Sequence, residues 1–408
     1  MSYSAYLSLI IIIVTITGIA IGHYPRLRMN RATISLVGAC ALIVLGAIPL
    51  EKSYNVIDWN TIVLILSVMI INVNLSLSGF FRLICSTVIR FAKTPGQLLA
   101  LIIVISGVLS AMFLNDTVVI MFTPLVLDIT LTLKRNPVPY LIGLVTAANI
   151  GSTCTITGNP QNMIIGMASH IAFTEFIYYL FPVSLAGLFI SWSVIMIVYR
   201  HEFSGDKFQV PSSFKIKIYK PLLYKSLVAS GLMLVAFVCG APIPLAALSA
   251  ASILLITRRL KPERVFREID WSLLVFFSGL FIVTGAIETA GFSQKIFSVA
   301  KPLSEGGIVS FTFVSAVLSN LVSNVPAVLL FRPFVPYFYE PQKIWLALAM
   351  ATTLAGNLTL LGSVANLIVA ESARRRGVHI TFVEYLKAGV PVTILTLITG
   401  IIWLSVCR

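Results

Sequence analysis

The sequence predicts an all-α integral membrane fold: two inverted repeats of about ten transmembrane helices in all, with two re-entrant hairpins and two broken helices. Three observations carry this reading. The 408 residues are 58% hydrophobic and only 11% charged, with a mean hydropathy of +0.97, a balance that belongs to polytopic helical membrane proteins rather than soluble domains. Most of the basic residues fall in short loops between apolar runs, which the positive-inside rule places in the cytoplasm. An ordered set of polar motifs in the first half also recurs in the second.

The net charge of +14 is therefore a matter of topology, and a nucleic-acid partner is not expected. The five cysteines, Cys40, Cys85, Cys154, Cys239 and Cys407, are scattered and form no CxxC pair, so neither a disulfide framework nor a zinc site is indicated. Four scattered histidines form no catalytic spacing, and an enzyme is not expected. The first apolar run has no basic n-region or small-residue cleavage site and reads as a retained helix.

In chain order, a first span at about 5–22 descends from an outer N-terminus to basic Arg26, Arg28 and Arg31. A second span at about 32–50 returns to an outer loop with Glu51, Lys52 and Asp58. A third, at about 59–80, goes back in, followed by an amphipathic connector around Arg82 and Lys93. Residues 96–133 begin and end beside cytoplasmic basic residues, so they fit a re-entrant hairpin with Asn115-Asp116 near its tip. The run 139–169 crosses outward. Its interior, from Asn149 to Asn162, holds two glycines, Gly151 and Gly158, and a proline, which predicts an unwound break between two half-helices. A further span at about 176–199 returns to the cytoplasm.

The polar, basic stretch 201–225 reads as a cytoplasmic linker between a first membrane repeat, 1–200, and a second, 226–408. Ile57-Asp58-Trp59 recurs as Ile269-Asp270-Trp271. Asn115 precedes Pro124 by nine positions as Asn324 precedes Pro333, and Gly158 precedes Asn162 by four as Gly362 precedes Asn366. Asp58 lies in an outer loop but Asp270 follows a basic one, so the second copy runs upside down. Its hairpin around Ser323-Asn324 enters from outside, and its broken helix through Asn357 runs inward to Arg374, Arg375 and Arg376. Inverted repeats with interrupted helices mark secondary transporters, whose sites lie where the breaks meet.

The polar residues of these stretches are the candidate site. From the first half come Asn115, Thr117, Asn149, Thr153, Thr157, Gly158, Asn159 and Asn162. From the second come Ser323, Asn324, Asn357, Gly362, Ser363 and Asn366. Free N–H groups at half-helix ends suit an anion or an oxygen-rich solute. Carbonyls and amides suit a hard cation or a polyhydroxyl solute equally well. No Arg, Lys or His lies near the breaks in the sequence. Between Pro95 and Leu133 the charged residues are Asp116 and Asp128. A carboxyl at membrane depth can exchange a proton against a solute, so both are candidates for proton coupling, with Asp128 nearer the cytoplasmic mouth. Cys154 is the one thiol in the cluster. It reads as a small apolar filler, and as a metalloid contact only secondarily.

Phe113-Leu114-Asn115-Asp116, Thr123-Pro124, the run from Asn320 through Ser323-Asn324-Val325-Pro326 to Leu329, and Gly356-Asn357-Leu358-Thr359 through Asn366 resemble the ArsB arsenite/antimonite efflux permeases. These belong to the ion transporter superfamily, with NhaD antiporters, citrate carriers and divalent anion/sodium symporters. Asn149-Ile150-Gly151-Ser152 with Gly158-Asn159-Pro160-Gln161-Asn162 is closer to the anion-carrier branch. Where anion symporters carry Ser-Asn-Thr at each tip, the first tip here reads Leu114-Asn115-Asp116 and the second Ser323-Asn324-Val325. The resemblance implies export of arsenite or antimonite, a small inorganic solute, by elevator-like movement of hairpins and broken helices. The unequal tips favour H+ as coupling ion, and Na+ with a di- or tricarboxylate is the alternative. No cofactor is expected. A multi-pass place in a bacterial or archaeal cytoplasmic (inner) membrane follows, with the lipid bilayer, a second copy in a homodimer and a cytoplasmic ATPase subunit as candidate partners.

Overall fold

The computed structural model describes residues 3–24, 27–204, 218–256, 260–289 and 306–407. Helix α1 (Tyr3–Ile21) leads into a two-stranded ribbon, β1 (His23–Tyr24) antiparallel to β2 (Leu27–Asn30). Then follow α2 (Arg31–Val44), the short α3 (Leu50–Asn55), α4 (Trp59–Ser78) and α5 (Phe80–Phe91). The first hairpin is α6 (Pro95–Met112) and α7 (Asn115–Thr132). The first broken helix is α8 (Pro137–Ser152) and α9 (Pro160–Ser169), and α10 (Phe173–Val198) and α11 (Arg200–Phe203) close the first half. The second half runs α12 (Lys220–Val238), α13 (Ile243–Leu255), α14 (Pro262–Arg267) and α15 (Trp271–Thr289). The second hairpin is α16 (Gly307–Val322) and α17 (Asn324–Phe331), the second broken helix α18 (Pro341–Ala355) and α19 (Val364–Arg374), and α20 (Phe382–Val406) ends the chain. Much of the linker expected at 201–225 lies outside the described residues, as does Arg26 of the first basic loop.

Local chemistry sets where these helices start and stop. Asp58 caps α4, its carboxylate accepting from the Thr61 amide at 3.2 Å. Asp270, at the matching place before α15, accepts from the Leu273 amide at 3.2 Å. Asn30 caps α2 and Thr94 caps α6, where Pro95 takes the first helical position, its missing N–H costing nothing there. The left-handed Gly79 (φ +86°) ends α4 two residues before the expected end at Phe80. The second span also stops short of the expected residue 50. It ends at Val44, left-handed Gly46 turns the chain, and Pro49 starts α3 instead.

The hairpins are unequal in length. Pro124 sits inside α7, whereas Pro333, at the same spacing from its asparagine, falls beyond the end of α17. The second limb is thus eight residues against eighteen in the first. The first break starts later than the motifs suggested, because α8 stays helical through Asn149, Gly151 and Ser152 and leaves 153–159 unwound; the second begins at Gly356, beside the expected Asn357, where α18 ends at Ala355.

The helices pack in two groups. In one, α2 lies along α15, α4 along α13 and α12, and α1 along α2. The Ser35 hydroxyl donates to the Phe276 carbonyl at 3.0 Å, tying α2 to α15. In the other group, α6 and α7 pack on α8, α16 on α18, α7 on α19, and α10 on α20. The partnerships come in matching sets: α2 with α15 and α13 with α4, α6 with α8 and α16 with α18, α8 with α10 and α18 with α20. Seven of the described helices are long and apolar enough to cross a membrane. Their outward faces carry exposed Phe, Leu, Ile and Val, the surface expected against lipid rather than water. The class is an all-α integral membrane protein.

Candidate functional site

The two hairpin tips and the two breaks meet. At the first tip the Asn115 amide N–H donates to the Gly158 carbonyl at 3.0 Å, and its side-chain Nδ2 donates to Asn149 Oδ1 at 3.2 Å. At the second, Ser323 sits at φ +79°, a strained conformation for a non-glycine residue. It turns the chain into α17, and the Ser319 hydroxyl donates to Asn324 Oδ1 at 2.8 Å.

Each break is held by an asparagine that begins the second half-helix. Asn162 Nδ2 donates to the carbonyls of Ser152 (3.0 Å) and Thr155 (2.9 Å). Asn366 Nδ2 does the same for Gly356 (2.7 Å) and Thr359 (2.9 Å). These carbonyls lost their helical partners where the chain unwound, and buried carbonyls need replacements. The breaks also bond across to one another. Asn159 Nδ2 donates to Thr353 Oγ1 at 3.2 Å, and Ser363 Oγ donates to Asn149 Oδ1 at 3.4 Å. Asn149 further donates through Nδ2 to Asn357 Oδ1 (2.8 Å) and Asn366 Oδ1 (3.2 Å). Asn149 is thus the hub of the network, and Thr353 holds its place in the other break. Gly158 and Gly362 pack against backbone. A Cβ on Gly158 would stand 2.4 Å from the Ser152 carbonyl oxygen, and one on Gly362 3.0 Å from that of Gly356, so their role is close backbone approach.

In front of this network lies a cavity of about 360 Å³. One wall is Asn115, Asp116, Gln161, Ser323, Asn324 and Ser363; the facing wall is Arg31 from α2 with Asp270, Ser272 and Phe276 at the start of α15. The expectation of a site free of Arg, Lys and His is therefore corrected. Arg31 reads in sequence as a topological charge, but as the first residue of α2 it turns into the cavity. Asp270 reads as a repeat marker and lines it too. Gln161 donates to Thr353 Oγ1 at 3.2 Å, and Asn320 accepts from the Thr359 hydroxyl at 2.9 Å. Both stood inside the quoted motifs. Thr353 was findable, since it precedes Gly362 by nine positions as Asn149 precedes Gly158.

The remaining candidates are dispersed. Thr117 accepts from Asn72 Nδ2 at 3.4 Å and borders a second cavity of about 230 Å³, lined also by Asp116, Glu268 and Asp270. Thr153 donates to the Asn149 carbonyl at 3.2 Å. Thr157 is buried with no hydrogen-bond partner for its hydroxyl among the described residues. Asp128 is half-exposed and paired with Arg376, twelve residues and so about 18 Å of helix from Asp116. Cys154 lines a separate cavity of about 480 Å³ whose other walls, including Phe181, Leu185, Phe189 and Trp192, are almost wholly apolar. Cys154→Ala is accordingly expected to retain most transport. Complete loss in a protein that still purifies as one folded species would overturn this placement.

A polar-lined cavity where interrupted helices meet inside an apolar bundle is the site architecture of a membrane transporter. Residues 9–340 match the model of the citrate transporter family, CitMHS, and the chain belongs to that family, within the ion transporter superfamily. It is 28% identical to the silicon efflux transporter LSI3 of Oryza sativa subsp. japonica, over 92% of this chain and 93% of the relative. It is 26% identical to the putative transporter arsB of Dictyostelium discoideum, over 92% and 87%. In structure it is similar to the YdaH transporter of Alcanivorax borkumensis, at a TM-score of 0.61 and 13% identity, over 99% and 98% of the chains. The family is one of transporters, and the chain is a transporter, not an enzyme.

Proposed function

We propose that the chain exports trivalent arsenite or antimonite in exchange for protons, by elevator-like movement of the hairpins and broken helices against the remaining helices. The observation that carries this is the make-up of the cavity. Asn115, Asn324, Gln161, Ser323 and Ser363 offer paired donors and acceptors, and Asp116 at one tip has Val325 as its counterpart at the other. Arsenite is a largely uncharged trihydroxide at neutral pH, and amides and hydroxyls match it group for group. The names of two relatives, one a silicon efflux transporter and one a putative arsB, fit a neutral hydroxylated solute, since silicic acid is another. The two packed helix groups suit a moving part and a fixed part. In this reading the basic loops face the cytoplasm and the N-terminus lies outside.

A second reading, sodium-coupled uptake of a di- or tricarboxylate, is favoured by Arg31 in the cavity and by the family's citrate description. Against it, a citrate trianion would meet two carboxylates, Asp116 and Asp270, for one guanidinium. Everted vesicles decide between the two. Arsenite is expected to accumulate under an imposed proton gradient without sodium, and citrate not to compete. A sodium requirement, with citrate or succinate taken up and arsenite ignored, would replace this function with the second.

A further inference from the structure

We propose that Arg31 and Asp270 act with Asp116 as one three-membered charge site across the boundary between the two helix groups, so that protonation of Asp116 is linked to how the groups engage. This rests on the proton-exchange reading above. Arg31 and Asp270 belong to one wall, because α2 and α15 lie side by side and are tied by the Ser35–Phe276 hydrogen bond. Asp116, in the first turn of α7, belongs to the other group and faces them across the cavity. It interacts electrostatically with both. Glu268, on the second cavity beside Asp116 and Asp270, is the other charged residue lining either cavity among the described residues.

One guanidinium against two carboxylates leaves a single negative charge, which one proton neutralises. Across the cavity Arg31 attracts an ionised Asp116 and Asp270 repels it, so the two act on its charge in opposite senses. The arrangement occurs at one end of the molecule. Counted from the shared Asp-Trp motif, the residue matching Arg31 is Ile243, the first residue of α13 as Arg31 is of α2. The residue matching Asp116 is Val325. The remaining counterpart, Asp58, instead pairs with Arg332 just beyond α17 at 3.9 Å. If the hairpin group slides along its partner, Asp116 leaves Arg31 and Asp270 and meets no equivalent pair. Its proton affinity then differs between the two positions, and by reciprocity the position must respond to pH. That is the linkage an exchanger needs.

The test uses purified full-length protein in detergent and requires neither arsenite nor a gradient. Ser272, exposed on the cavity wall, is changed to Cys, and its maleimide labelling is followed from pH 5.5 to 8.5 by peptide mass spectrometry. Each series is normalised to the same protein carrying Asp116→Asn, which removes the thiol's own titration. With Asp270→Asn, Arg31 alone holds ionised Asp116, and labelling should rise about threefold or more with pH. With Arg31→Gln, Asp270 alone opposes ionisation, and labelling should fall by a similar factor. Arg31→Lys should restore the parental profile. A one-unit change in proton affinity corresponds to a tenfold change in the linked equilibrium, so these effects are measurable. Flat normalised profiles in both variants, or slopes of the same sign, would overturn the three-membered site. Failure of proton-driven arsenite accumulation in vesicles would instead overturn the exchange reading, and the two failures are separable.

Discussion

Asp116→Asn is expected to abolish gradient-driven export while leaving substrate binding largely in place. The substitution keeps the shape of the side chain and its hydrogen-bonding capacity but removes titration. In the proposed site, substrate recognition falls to Asn115, Gln161, Ser323, Asn324 and Ser363, which line the cavity and which the substitution leaves in place. The expected loss of uphill transport is at least about a hundredfold, the scale on which a group essential to one step is felt. Asn324→Ala should do the reverse. It removes a cavity-lining amide and one of the two acceptors of the Ser319 hydroxyl, the Thr352 carbonyl being the other, so apparent affinity weakens by about 1–3 kcal/mol while coupling persists. The measurements are uphill transport and equilibrium binding for both variants, with folding checked by size-exclusion elution in detergent. If Asp116→Asn still drives uphill export with the parental pH dependence, Asp116 does not carry the proton, and Asp128, paired with Arg376 at the far end of α7, becomes the residue to change.

The second large effect is expected at Asn149. Its side chain receives a hydrogen bond from Asn115 and donates to Asn357 and Asn366, joining one hairpin tip to both breaks. Asn149→Ala strands these buried amides together, and each orphaned group costs about 1–3 kcal/mol. Partial rearrangement, as polar groups in membrane bundles find other partners, should bring the net loss to about 2–3 kcal/mol. We expect a clear fall in melting temperature and at least a tenfold loss of transport. Asn149→Thr, which copies the residue at the matching place in the other break, should recover part of both. An unchanged melting curve for the alanine variant would show that the network is not bearing the two breaks.

Much of the fold is legible in the sequence because membranes leave few options. A run of some twenty apolar residues must be helical there, since no water is available to satisfy its backbone. A run such as Asn149 to Asn162, with two glycines and a proline, cannot be a continuous helix. The Asn-Pro of Asn159-Pro160 marks the start of a half-helix as plainly as any cap, and the spacing of Gly362 from Asn366 repeats that of Gly158 from Asn162. Element ends are less legible, because they turn on single residues. Gly79 and Gly46 stop helices through positive φ, and Pro333 falls outside α17 although its counterpart Pro124 lies within α7.

By itself, then, the sequence determined the membrane class, the order of spans, hairpins and breaks, and most of the polar residues that meet at the tips and breaks. All of these follow from local chemistry and from the cost of bare backbone in lipid. Only the tertiary structure decided which of those residues share a wall. Arg31 and Asp270 stand 239 positions apart, one in a basic loop and one beside another, and both look like topology signals. It is the packing of α2 on α15 that brings them together opposite Asp116. The packing of α6 and α10 against α8 turns Cys154, in the midst of the polar motifs, toward an apolar cavity instead. Side-chain direction about a break depends on where the helix resumes its turn, and the distances between helix groups depend on contacts far apart in the chain.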